Sequence, residues 1–148
     1  MPEKKTIKRA KKDKREGKAA STQAGEFVRE EIEHVREGKH GARSTKQAIA
    51  IGLSKARRAG VALAPPKKGK ASTKTRRQAE RDLRKGRSPA KSKPSTMRSR
   101  ATSRALRREG QSAATKKSLA RQARSAAARR SKASRSRSAK KAAATRKK

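Results

Sequence analysis

Glu26, Glu30, Glu33 and Glu37 fall at i, i+4, i+7 and i+11, one acidic stripe on a helix, with His34 beside it. Carboxylates and imidazoles are the groups that hold a divalent cation. Nothing else converges on this stripe: the chain has no Cys, and His40 is its only other imidazole. Thiolate ligands and thiol nucleophiles are therefore excluded. The stripe reads as internal pairing, with Lys55, Arg57 and Arg58 or with the basic segment of another copy as partners. Arg29 and Glu33 form a local i, i+4 pair. No metal and no cofactor are expected. No Ser/His/acid set has a core large enough to hold it, so the chain reads as a non-enzyme.

The chemistry present in quantity is cationic. Lys and Arg total 48 against 11 acidic residues, a net charge of +37 over 148 residues. Such a surface neutralises phosphates and binds polyanions through counterion release, with little sequence dependence. Residues 1–70 carry 20 basic and 8 acidic groups; residues 71–148 carry 28 and 3, so the second half is the expected binding region. Its first candidates are Lys74, Arg76, Arg77, Arg84, Lys85 and Arg87, with Lys91 just beyond. Arg98, Arg100, Arg104, Arg107 and Arg108 follow, then Lys116, Lys117, Arg121 and Arg124. Arg129, Arg130, Lys132, Arg135, Arg137, Lys140 and Lys141 complete the set.

Three smaller signals accompany it. Ser88-Pro89-Ala90-Lys91 reads first as a flexible linker, and also fits a Ser-Pro-x-basic turn that can lie along a narrow minor groove. GKHGARSTK (38–46) reads as an inter-helix loop or as a phosphate contact at a helix start. Ser131, Ser134, Ser136 and Ser138 sit among cations, where phosphate would weaken the local field. Phe27 is the only aromatic residue and belongs to the core, which excludes aromatic base-stacking platforms.

The elements that must position these groups are helices. Leu, Ile, Val and Phe number only 13, about 9% of the chain, far under the usual globular share. Nine of them lie between Phe27 and Leu63, so a folded nucleus is expected there. Three stretches are punctuated by Gly: Lys5–Glu16, Thr22–Glu37 and Ser44–Ala59. In the second, Val28, Ile32 and Val35 recur at i, i+4, i+7 with Phe27 flanking; Ile49, Leu53 and Ala56 repeat that spacing in the third. Ser44 and Gln47 have capping-box spacing, and Pro65-Pro66 stops further helix. The expected fold class is mostly α with extensive disorder: a small helical hairpin or three-helix N-terminal module, plus a basic low-complexity tail. No apolar run reaches the length of a membrane span.

The chain is internally doubled. KTIKRAKKDKREGK (5–18) aligns without gaps on KTRRQAERDLRKGR (74–87), an offset of 69. VREGKHGARSTKQA (from Val35) then resembles RREGQSAATKKSLA (from Arg107) after a short gap. In the second copy Phe27, Val28 and Ile32 correspond roughly to Ser99, Arg100 and Arg104, so its apolar stripe is gone. The expected divisions are a helical module at 1–63, a Pro/Lys/Gly linker at 64–72 and a degenerate second copy at 73–110. A disordered or conditionally helical tail follows at 111–148.

VREGKHGA, KQAIAIGLSKARRAG (46–60) and the PPKKG linker resemble a family of short, very basic bacterial proteins of unknown function, over about residues 1–87. The remaining tail is similar in composition to bacterial histone-H1-like proteins. The resemblance implies a bacterial cytoplasmic, DNA-associated protein and supplies no catalytic residue. The expectation is a nucleoid-associated, histone-like protein that binds DNA without sequence preference and has no membrane partner. The alternatives are an RNA- or ribosome-associated basic protein, and a self-assembling structural or stress protein.

Overall fold

A computed structural model describes residues 1–88 and 95–146, and the described residues form seven α-helices and one 3-10 turn. They are α1 (Lys4–Arg15), α2 (Ala20–Arg36), α3 (Thr45–Arg58) and α4 (Thr73–Arg87), then α5 (Thr96–Arg107), the turn Ser112–Ala114, α6 (Lys116–Ala128) and α7 (Lys132–Arg146). No strand is present among the described residues. The first three helices match the stretches bounded by Gly17, Gly38 and Gly60. Ser44 caps α3 by accepting from the Gln47 amide at 3.2 Å. Gln47 Oε1 reaches back one residue further than in a standard capping box, to the Arg43 amide at 2.7 Å.

α2 and α3 pack as the expected hairpin, and α1 lies against α2. The hairpin is tight because Gly52 faces α2 without a side chain. A Cβ there would stand 2.6 Å from Val28 Cα. Of the expected core residues, Phe27, Ile32 and Val35 are buried, while Val28, Ile49 and Leu53 are half-buried. Phe27, Ala10, Ala24, Ala56 and Val61 make one core cluster, with Ile7, Leu53 and Leu63 against it. Ile32, Val35, Ala42 and Ala48 make the other, together with Ala113 and Ala114; Val28 and Leu119 pack on it.

That second cluster corrects two expectations. The nucleus is not confined to Phe27–Leu63, because Ala113, Ala114 and Leu119 come from the far end of the chain. Small side chains suffice there: the turn Ser112–Ala114 lies against both α2 and α3, and Ala113 and Ala114 are buried. Thr45 Oγ1 donates to Ala113 O at 2.6 Å and Arg36 Nε donates to Ala114 O at 2.9 Å. Extensive disorder is also overturned. The region expected to be a disordered or conditionally helical tail is helical as far as it is described, and no unstructured tail is seen among the described residues. Its Ala, Arg, Lys and Gln are strong helix formers, and its helices are capped. Thr115 accepts from the Ser118 amide and Ser131 from the Ser134 amide, each at 3.2 Å.

Candidate nucleic-acid interface

On α4, α5 and α6 the cations sort by the 3.6-residue period of the helix. On α4, Ala79 and Asp82 are buried on one side, which points Lys74, Arg77, Arg84 and Lys85 to the opposite side. Arg81, absent from the cations that the sequence singles out, lies on that same exposed face. Arg76 falls off it and pairs with Glu80 at 3.5 Å; Arg87 falls off it and is exposed. α5 buries no residue. Arg100, Arg104 and Arg107 recur there at i, i+4, i+7, with Arg108 at the C-terminal cap and Arg98 on the other side.

On α6, Lys117, Arg121 and Arg124 repeat the i, i+4, i+7 spacing. They lie away from Leu119, which packs on the core, so that helix points its cations outward; Lys116 is exposed beside them. Arg129 caps the end of α6. Arg130 is engaged within the chain, its guanidinium donating to Ser134 O at 2.9 Å and to Ser138 Oγ. On α7, Lys132, Arg135, Arg137, Lys140 and Lys141 are exposed but share no single face. Lys91, and with it the Ser-Pro-x-basic motif beyond Ser88, lies outside the described residues.

The acidic residues explain where charge stays uncompensated. Glu26 pairs with Arg9, Glu33 with Arg29 as expected, and Glu37 with Lys39. Glu30 and Glu31 both meet Lys55, at 3.6 and 2.5 Å. The expected pairing of the acidic stripe with Arg57 and Arg58 does not occur. Arg57 is buried and donates to the Leu63 and Ala64 carbonyls, and Arg58 reaches Asp82 at 3.6 Å. Both point across α3 rather than toward α2, since residues 57 and 58 lie off the face that carries Lys55. Burial lowers the proton affinity of the Arg57 guanidinium, and the nearby Asp82 charge opposes this. Lys18 is held charged well above its usual range, first by Asp13 and then by Glu16. Lys39 is likewise raised, chiefly by its hydrogen bond to Glu37. Among the described residues, no acidic side chain pairs with a cation of α5 or α6.

The first copy presents a basic face of its own. On α1, Thr6, Ala10 and Asp13 are buried, and Lys5, Lys8, Lys12 and Arg15 are exposed opposite them. At the offset of 69 these four coincide with Lys74, Arg77, Arg81 and Arg84. The repeat was the signal that could have found both Arg81 and the α1 face. Phe27, the one aromatic side chain, is 1% exposed, so no aromatic ring is available to stack on a base. No helix among the described residues is long and apolar enough to cross a membrane. Among the described residues, the carboxylate and imidazole groups close enough together to hold a metal ion are those of Glu31, His34 and His40, not the acidic stripe. No family model, no curated protein and no solved structure matches this chain.

Proposed function

We propose that this protein binds DNA without sequence preference, neutralising phosphates in the manner of a bacterial histone-like, nucleoid-associated protein. The observation that carries the reading is the set of outward cationic stripes on α4, α5 and α6, which on α5 and α6 meet no acidic partner. Partnered cations gain little from a phosphate, because an existing bond must be broken; unpartnered ones release their counterions and gain fully. The sequence resemblance to short basic bacterial proteins supports the same reading, with the bacterial nucleoid as the setting. The fold packs α4 and α6 on the first copy, so binding does not have to order the whole chain.

Duplex binding followed by fluorescence anisotropy across a NaCl series tests this. Affinity should fall steeply with salt. The triple variant R100Q/R104Q/R107Q should flatten the log–log salt slope by about 2.7, at about 0.9 for each phosphate that is no longer neutralised. Those three side chains are exposed, so helicity and melting temperature should not move. An affinity that hardly changes between low and moderate salt, or an unchanged slope in the variant, would overturn the reading. Substitution is a cleaner test than deleting residues 71–148, because deletion also removes Ala113 and Ala114 from the core. Separate DNase and RNase digestion of the copurified complex decides between DNA and an RNA-associated role.

A further inference from the structure

His40 stands in the loop between α2 and α3, and its two ring nitrogens meet two acceptors. Nδ1 is 3.0 Å from the Gly41 carbonyl oxygen, which can only accept, so Nδ1 carries a proton. Nε2 is 3.1 Å from Oε1 of Glu31, whose side chain is 1% exposed. A neutral imidazole would then turn a bare lone pair on a buried carboxylate. A proton held by one of the two groups, or a metal ion, must lie between the two atoms.

His34, one helical turn after Glu31, completes the group. One ligand atom each from Glu31, His34 and His40 lies within 4.8 Å of the others, and the two rings meet edge-on with centroids 6.1 Å apart. His34 Nε2 is 2.9 Å from Glu3 Oε1. With Nε2 donating to that carboxylate, Nδ1 keeps its lone pair. Metal-bound histidines hold their second nitrogen in this way, on a carboxylate or a backbone carbonyl; here His34 has Glu3 and His40 has Gly41 O. The far oxygen of Glu31 is fixed by Lys55 at 2.5 Å, so Oε1 is turned toward His40. Tetrahedral zinc with ligands at about 2.0–2.1 Å separates them by about 3.3 Å, and Glu31 Oε1 and His40 Nε2 are already at 3.1 Å.

We propose that Glu31, His34 and His40 form a binding site for a first-row divalent cation, zinc being the species that fits two imidazoles and one carboxylate. The set of three protein ligands leaves a fourth position for water. The two histidine side chains are 13% and 17% exposed, which gives the ion a way in. Glu3, Glu30 and Glu31 face Lys39 and Lys55 around the site. An entering ion takes the place of the proton shared between Glu31 and His40, so charge is exchanged rather than simply added. The position of the site gives it a consequence for the fold. The same loop donates Gly41 N to Leu106 O at 2.9 Å and Ala42 N to Gly110 O at 3.0 Å. A metal on His40 would stiffen the seam where the second copy docks on the first.

The test is a titration of the full-length, nucleic-acid-free protein with zinc chloride, read by calorimetry and by the imidazole resonances. The chain has only two histidines, so both should shift together and saturate at one ion per chain, with a rise in melting temperature. H34A and H40A should each weaken binding by more than about 100-fold and E3Q by about 10-fold, the range for an outer partner. Both histidines are near the surface, so the variants should retain their helical circular dichroism. Absence of saturable binding, a shift of one imidazole alone, or H34A and H40A binding zinc like the parent would overturn the site. The last result would assign the ion to surface carboxylates and leave a proton as the occupant between His40 and Glu31.

Discussion

The first helix of each copy descends from one pattern, yet each packs on a different neighbour. Ala10 and Asp13 of α1 are buried with α2 as its partner; Ala79 and Asp82 of α4, 69 residues on, are buried against α3. Asp13 is held by Lys18 at 2.8 Å, within its own copy. Asp82 is held across the copies by the Ser54 hydroxyl at 2.6 Å, and within its own helix by Gln78 at 3.1 Å. The helices that follow diverge further. α2 buries Phe27, Ile32 and Val35, whereas α5 buries nothing. A duplicated copy can thus lose its own core and still be placed, provided that its first helix and one short turn find surface on the copy that kept one. Freed from packing, α5 can carry arginine where α2 carries its apolar stripe.

Phe27→Ala tests that dependence most severely. Emptying a site this buried costs about 3–5 kcal/mol, a large part of the stability of a small domain. Because α4 and the turn Ser112–Ala114 rest on α2 and α3, all packed helices should melt in one transition at a lower temperature. Ser99→Ala, at the corresponding position of the second copy, should be silent because Ser99 is exposed. Calorimetry of both variants decides the matter. A second transition that stays at its original temperature in F27A would mean that the second copy folds alone.

The repeat-related glycines offer a finer comparison. Gly17 closes α1 with φ of 69° and nothing within 4 Å of an added Cβ. Gly86 is where α4 crosses α3, and a Cβ there would stand 1.9 Å from the Arg57 carbonyl oxygen. One residue type thus serves two needs, a left-handed turn in the first copy and a backbone approach in the second. Gly17→Ala should cost about 1 kcal/mol through its conformation alone. Gly86→Ala must push two backbones apart and should cost up to about 3 kcal/mol. Urea unfolding of the two variants checks the order; a reversed order would break the assignment of α4 to α3.

The hairpin was legible in the sequence because Phe27, Val28, Ile32 and Val35 repeat at helical spacing and Ser44 announces a cap. The docking of the second copy was not. It rests on Ala79, Ala113 and Ala114, whose small side chains look like low complexity until a groove that fits them is known. The basic stripes were legible residue by residue, but their faces were not. The buried side of a helix fixes its exposed side, and in α4 that side is marked by one Ala and one Asp. The same blindness hid Glu31 and His40. The acidic stripe stood out for its period, whereas the group that converges comes from a helix and the loop after it, which no single period describes.

The smallest effect expected separates the copies at their starts. Glu3 and Ser72 occupy equivalent N-cap positions. Ser72 caps its own helix, accepting from the Thr75 amide at 3.1 Å. Glu3 makes no such cap; its carboxylate reaches His34 at 2.9 Å and Lys39 at 3.4 Å and so ties α1 to the end of α2. The hydrogen bond from His34, followed by Lys39, lowers the Glu3 proton affinity below its ordinary 4.5, with partial desolvation opposing. A carboxylate whose folded value is depressed contributes fully above 4.5, and its contribution is lost as pH falls through the lower folded value. Acid should therefore loosen the start of α1 and leave the start of α4 in place, because a serine cap does not titrate. Amide chemical shifts of residues 4–7 and 73–76 followed from pH 6 to pH 3 would show this. Glu3→Gln should remove the difference between the two helices, and an α4 start that moved in step with α1 would mean that the strap is not what holds the first copy's N-terminus.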